Sequence, residues 1–165
     1  MGRVALMGDE SPLEVIAIAY GMEQGLGGFY SSAAGMIKDK DVAGLLRKLA
    51  RIEEKHKQKL LDLYMALDTM GRGSEAFEAG IMSEIMEGGF TTKEFLEENR
   101  PLMETTADIL SLAMMLETQA LDLYLRYSQK AEDEESRRVL YRIAEDEKSH
   151  LTALGDMMEA IHNGK

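Results

Sequence analysis

The chain has 165 residues, of which 45% are hydrophobic, so it is long enough and apolar enough to bury the core of one domain. Its formal net charge of -11 at pH 7 argues against a nucleic-acid partner and against an anionic membrane surface, because both require a basic face. Cysteine is absent, which excludes disulfides, thiolate-bound metals and cysteine nucleophiles and leaves histidine and carboxylates as the metal ligands.

Apolar segments of the sequence bear on where the protein is found. The apolar run near the N-terminus, residues 4–7, is too short for a secretion signal. No apolar stretch approaches the roughly 18 residues that a membrane span requires. We therefore expect a cytoplasmic protein that has no membrane partner.

Helix-forming residues dominate the sequence, and β-branched residues are sparse. The first helix has a recognisable start, because Ser11 suits the N-cap, Pro12 suits the first helical position and Glu14 closes a capping box. Apolar residues then recur at helical spacing through four long segments. We predict four helices at about 11–37, 41–69, 105–130 and 134–161.

The first of these helices contains four glycines, at Gly21, Gly25, Gly27 and Gly28. Each glycine costs a helix about 1 kcal/mol relative to alanine. Two interpretations stay open: packing rescues a weakened helix, or another helix approaches it closely.

Between the second and third helices lies the segment 70–104, and residues 74–101 within it are the least regular part of the sequence. Within it we predict a short helix that ends at Met86, a break at Gly88–Gly89 and a further helical turn over 92–97. Two helical hairpins joined by such a crossover form an antiparallel four-helix bundle. The sequence thus predicts an all-α fold in which residues 1–165 form a single domain.

The chain repeats itself at an offset of 94 residues. The repeat includes apolar positions and also the polar and aromatic residues within the apolar stripes. These recurring pairs are Glu23 and Glu117, Tyr30 and Tyr124, Glu53 and Glu147, and His56 and His150. Because drift in a core would not preserve polar residues, we interpret the repeat as a duplicated hairpin with a pseudo-two-fold axis.

Equal distances from the turns place the repeated acids at one level. The midpoint between Glu23 and Glu53 lies at residue 38 in the first turn, and the corresponding pair of the second hairpin is centred on residue 132. Each hairpin therefore presents two carboxylates at one height, roughly 20 Å from its turn at about 1.5 Å per residue. Each histidine follows its glutamate by three residues and so lies on the same helix face.

Four carboxylates in a low-dielectric core need compensating charge, because burial and mutual repulsion would otherwise raise their pKa values and destabilise the fold. Two divalent cations would supply it. Carboxylate and imidazole ligands without thiolate suit iron or manganese, or a mixed pair of the two. We predict a dinuclear metal site with six ligands: Glu23, Glu53, His56, Glu117, Glu147 and His150.

This pattern, with one Glu from each of two helices and Glu-x-x-His from each of the other two, resembles the ferritin-like di-iron carboxylate proteins, and in particular their rubrerythrin-like branch. The resemblance covers about residues 11–161. It is carried by Glu23 and Tyr30 with their neighbours, by segment 50–56 and by segment 144–150.

The resemblance implies a role for each ligand. Glu53 and Glu147 would bridge two iron ions. The other four ligands would complete one iron each as two pairs, Glu23 with His56 and Glu117 with His150.

It also implies roles for residues next to the ligands. Tyr30 and Tyr124 would donate hydrogen bonds to carboxylates, the alternative for both being aromatic packing. Asp146 would orient an imidazole, whereas Ile52 at the equivalent position cannot. Ala120 stands where rubrerythrins usually carry an additional glutamate, which departs from the family pattern.

The function that this resemblance implies is that of an oxidoreductase that reduces peroxide or dioxygen in oxidative-stress defence. The chain lacks the cysteines of a rubredoxin-like domain, so we expect a separate redox protein as electron donor, the alternative being a domain missing from this chain. Relatives commonly pair as homodimers, and we expect the same here. Two alternatives stay open: a ferroxidase that stores or transfers iron, and a non-enzymatic helical module whose interactions or sensing depend on metal.

Overall fold

The structure is a computed structural model that describes residues 10–80, 85–86 and 90–164. It is an all-α four-helix bundle, as predicted. The four long helices are α1 (Pro12–Met36), α2 (Lys40–Leu67), α5 (Thr106–Lys130) and α6 (Glu134–His162). Helices α1 and α2 pack together as one hairpin and α5 and α6 as the other, and the hairpins meet through α2 with α6 and α1 with α5.

Side-chain caps fix where the helices of both hairpins begin. The predicted capping box is present, since the Ser11 amide donates to Glu14 at 2.8 Å and the Glu14 amide donates to Ser11 at 3.3 Å. Thr105 and Asp108 form the same box at the start of α5, at 2.8 and 3.1 Å. The other two helices are capped by aspartates, Asp39 before α2 and Asp133 before α6. All these caps obey the 94-residue offset, so the repeat extends to the helix starts.

The crossover contains a helix α3 (Gly73–Gly80), two-residue strands β1 (Ile85–Met86) and β2 (Phe90–Thr91), a helix α4 (Thr92–Asn99) and a 3-10 turn (Arg100–Leu102). The predicted short helix is present as α3, but its predicted end at Met86 is wrong, because Ile85 and Met86 pair with β2 in an antiparallel ladder. The predicted helical turn over 92–97 is confirmed by α4. The predicted break at Gly88–Gly89 lies outside the described residues.

Helix α4 packs against α1, and this contact explains one of the glycines. A Cβ at Gly28 would lie 3.1 Å from Thr92 Oγ1 and 3.2 Å from Thr92 Cγ2. The Thr92 hydroxyl donates to the carbonyl of Gly25 at 3.2 Å, and Phe95 meets Phe29 edge to face at 5.9 Å between ring centroids. At Gly28, close approach by another helix is therefore the correct interpretation, and that helix is α4 of the crossover.

The core is built from leucine, isoleucine, alanine and aromatic side chains on the inward faces of the four long helices. The largest fully buried apolar side chains are Tyr30, Tyr124, Phe29, Ile16, Leu46, Leu49, Leu60, Leu110, Leu123, Ile143 and Leu154. None of the helices in the described ranges is both long and apolar enough to cross a bilayer. One layer of the core is charged, and it contains the candidate site.

Candidate metal centre

The structure brings all six predicted ligands together in one buried layer. Each long helix contributes one glutamate, and α2 and α6 each add a histidine one turn later. All six residues are buried, each with an exposed fraction of at most 3%: Glu23, Glu53, His56, Glu117, Glu147 and His150. Carboxylates are almost never buried to this degree without a charge partner.

The six side chains divide into two overlapping groups of four. Within each group, one ligand atom from every residue lies within 4.8 Å of the others. The first group is Glu23, Glu53, His56 and Glu147, and the second is Glu53, Glu117, Glu147 and His150. Glu53 and Glu147 belong to both groups, while each group has its own histidine and its own further glutamate. This arrangement can hold two cations that share two carboxylates.

Both histidines direct Nδ1 at the carboxylates. His56 Nδ1 lies 3.0 Å from Glu53 and 3.1 Å from Glu147. His150 Nδ1 lies 2.9 Å from Glu147 and 3.2 Å from Glu53 and Glu117. The two rings stack with centroids 5.7 Å apart and planes at 22°. Nδ1 is therefore the atom that each imidazole offers to a metal.

Several carboxylate oxygens in this layer make no hydrogen bond. Both oxygens of Glu53, both oxygens of Glu147 and one oxygen of Glu117 are fully buried without a hydrogen-bond partner in the described part of the chain. Such atoms are costly in a protein interior unless a cation or a donor satisfies them. The oxygens and the two imidazole nitrogens match the ligands that iron and manganese accept, so the residues present fit a dinuclear metal group.

The protonation of the site reflects this surplus of acid. Burial and, after it, interactions with Glu147 raise the pKa of Glu23 and of Glu117 well above the usual range. Burial opposes charge on the imidazoles, but hydrogen bonds to the carboxylates raise the pKa of His56 strongly and that of His150 to about 12. Burial would also raise the pKa of Glu147, yet its close contacts with Glu117 and with both histidines lower it. Without metal, protons limit the negative charge of the layer.

The two repeated tyrosines each donate a hydrogen bond to a candidate ligand. Tyr30 on α1 donates to Glu117 on α5, and Tyr124 on α5 donates to Glu23 on α1. Burial and the nearby carboxylate charge raise the pKa of both phenols, which keeps them protonated as donors. Each tyrosine therefore reaches from its own hairpin to the glutamate of the other hairpin, a crossing that the sequence could not indicate.

One imidazole has a partner on its far side. His56 Nε2 donates to Asp146 at 3.1 Å, and Lys59 Nζ lies 3.2 Å from the same carboxylate oxygen. Although partial burial opposes it, these two hydrogen bonds lower the pKa of Asp146 and keep it ionised. Sequence reasoning missed Lys59, whose only signal is its position three residues after His56. Ala120, the departure from the rubrerythrin pattern, is buried and supplies no ligand.

Comparison with known proteins gives two findings. The rubrerythrin family model matches residues 108–165, which span most of α5 and all of α6 with Glu117, Glu147 and His150. A solved hypothetical protein from Pyrococcus furiosus has a similar fold, with a TM-score of 0.72 and 23% identity over 96% of this chain and 95% of that chain. No curated protein matches the sequence. Over residues 108–165, the family match confirms the predicted resemblance to rubrerythrins.

Proposed function

We propose that this rubrerythrin-like chain is a non-haem di-iron protein whose reduced centre reduces peroxide with electrons from a separate redox protein. The observation that carries the proposal is the sharing of Glu53 and Glu147 between two buried groups of ligands. A site for one cation would need neither the second histidine nor the second unshared glutamate. The duplicated arrangement favours two metals in one centre.

Iron is the metal that the ligand set and the family match favour together. The donors are carboxylate oxygens and imidazole nitrogens, with no thiolate, because the chain contains no cysteine. Such donors suit iron and manganese and disfavour copper(I) and structural zinc. Rubrerythrin likeness in the second hairpin supports iron over manganese.

When bound as a ferrous pair, the metals would supply the two electrons that convert hydrogen peroxide and two protons into two molecules of water. The chain's own residues orient the carboxylate ligands and exclude water from the site. Glu23 and Glu117 are held by the phenols of the opposite hairpin, and the apolar layers around the site exclude bulk water. Electrons would then return the centre to its reduced state from outside, since the chain has no cysteine with which to hold a thiolate-bound redox centre.

The test is an anaerobic titration of the iron-loaded, reduced protein with hydrogen peroxide, followed by optical spectroscopy. We expect one peroxide to oxidise about two ferrous ions, because each metal gives up one electron. If the spectrum is unchanged over minutes, peroxide reduction is refuted. If instead the chain turns over many ferrous ions with dioxygen and retains them, the ferroxidase alternative replaces it.

A matched pair of variants ties the reaction to the site. Glu53→Ala removes a shared carboxylate, while Glu54→Ala removes its exposed neighbour, which pairs with Lys57 at the surface. We expect Glu53→Ala to lose peroxide oxidation of iron and Glu54→Ala to keep it. Equal behaviour of the two variants would place the reaction elsewhere.

A further inference from the structure

We infer that the two metal positions are inequivalent, and that the position built on His56 binds a divalent cation more tightly than the position built on His150. This inference rests on the dinuclear site of the proposed function and deepens it. The ligands themselves are duplicated, so the difference must arise outside them. It arises on the far side of the two imidazole rings.

The far side of His56 is fully supported. Its Nε2 donates to Asp146 Oδ2 at 3.1 Å, and Lys59 Nζ lies 3.2 Å from that oxygen. Once a metal displaces the Nδ1 proton, this contact holds the imidazole in the tautomer that keeps its remaining proton on Nε2 and offers Nδ1 to the metal. A carboxylate in this place fixes the ring and makes its Nδ1 a stronger ligand.

The far side of His150 has no such support. Its Nε2 is buried and makes no hydrogen bond to any residue that the structure describes. The 94-residue offset relates Asp146 to Ile52, which packs against the apolar core, and relates Lys59 to Ala153. Neither side chain can accept a hydrogen bond from Nε2 and so fix the orientation of the ring.

The consequence concerns the proton that a bound imidazole must carry. When Nδ1 binds a metal, Nε2 keeps its proton, and a buried N–H without an acceptor is unfavourable. This unfavourable term applies to His150, whose Nε2 has no acceptor, and not to His56, whose Nε2 donates to Asp146. Loss of an outer hydrogen-bond partner typically weakens metal binding about 10- to 100-fold, so we expect the two positions to differ by that factor. Asp146 and Lys59 are positioning residues that act through His56.

The test measures cobalt(II) binding to two variants that each keep one complete position. His150→Ala keeps the His56 position, and His56→Ala keeps the His150 position, so the two truncations are matched. We expect the single cobalt(II) ion of His150→Ala to bind about 10- to 100-fold more tightly by titration calorimetry. Equal affinities, or tighter binding by His56→Ala, would overturn the inference. Absence of any cobalt(II) binding to the unmodified chain would instead refute the dinuclear site.

Further substitutions in the His150→Ala background identify the cause. Asp146→Leu should remove most of the difference, Asp146→Asn should restore part of it because the amide oxygen still accepts, and Lys59→Met should have a smaller effect. Glu145→Gln, at an exposed neighbouring position, is the control and should change nothing. If Asp146→Leu binds as tightly as its background, the inference fails.

A spectroscopic readout separates ring positioning from a general loss of structure. In the cobalt(II)-loaded His150→Ala variant, where His56 is the only remaining histidine of the site, its Nε2 proton should give a shifted resonance that exchanges slowly with water, because Asp146 holds it. Asp146→Leu should abolish that slow exchange while the helical circular dichroism is retained. Slow exchange that persists in Asp146→Leu would contradict the assignment.

Discussion

At the scale of single residues, the hydrogen bonds from Tyr30 and Tyr124 hold the two unshared glutamates in place. Tyr30→Phe removes the donor to Glu117 and leaves that carboxylate free to rotate, so we expect metal affinity to fall about 10- to 100-fold. Tyr124→Phe should act equally on Glu23. Metal titration of the two variants checks this. The control is Tyr127→Phe, which should bind metal as the unmodified chain does. The Tyr127 hydroxyl donates to Glu10, at a distance of 2.6 Å, and not to a candidate ligand.

Protonation of the same residues sets a pH dependence. Burial raises the pKa of Glu23 and Glu117, and hydrogen bonds to carboxylates raise the pKa of His150, so the metal-free site holds protons near neutral pH. A metal must displace these protons, and acid therefore favours the metal-free form. Apparent affinity should rise with pH, about tenfold per pH unit for each proton released. Calorimetry in buffers of different ionisation enthalpy counts the protons, and an affinity that does not change with pH would contradict the expected release.

Most of the site could be predicted at this scale, for a physical reason. Buried carboxylates and histidines stand out in apolar helix stripes, and the repeat shows which of them recur. Hydrogen bonds between hairpins could not be predicted, because the repeat gives positions along a helix and not the rotation of one hairpin against the other. The pairing of Tyr30 with Glu117, and of Lys59 with Asp146, depends on that rotation.

At the scale of elements, the contact between α1 and α4 makes Gly28 sensitive to substitution. Gly28→Leu would place side-chain atoms where Thr92 already lies, and we expect it to cost about 1–3 kcal/mol of unfolding free energy through overpacking. Gly44 in α2 is the matched control, since nothing lies within 4 Å of a Cβ built there. Gly44→Leu should stabilise by up to about 1 kcal/mol through helix propensity alone. Thermal or denaturant unfolding compares the two, and equal effects would contradict the close approach.

The long helices could be predicted because caps and apolar periodicity agree along each of them. Ser11 and Glu14 show this most clearly, with the predicted capping box present in the structure. The crossover could not be predicted in the same way, because its elements are short and lack sustained periodicity. Ile85 and Met86 fit a helix or a strand equally well in the sequence, and the pairing with Phe90–Thr91 decides between them.

At the scale of the whole molecule, we expect the charged layer to make the stability of the bundle depend on metal. Four buried carboxylates destabilise the metal-free fold, and each cation bound at 100 times its dissociation constant adds about 2.7 kcal/mol. For a chain of this size, saturating two positions should raise Tm by roughly 10–20 °C. Calorimetric melting before and after chelation checks this. The double variant His56→Ala/His150→Ala should show no such difference, and a large one would place the stabilising metal elsewhere.

The pseudo-two-fold repeat relates both hairpins, their caps and their ligands, and it brings six separated residues into one layer. The measurement that tests this account most directly is the metal content of the protein purified without added metal, by mass spectrometry, beside His56→Ala/His150→Ala. We expect about two iron ions per unmodified chain and few per chain in the double variant. The control His162→Ala removes an exposed histidine at the end of α6 and should keep the full iron content. A double variant that still holds about two iron ions per chain would contradict it.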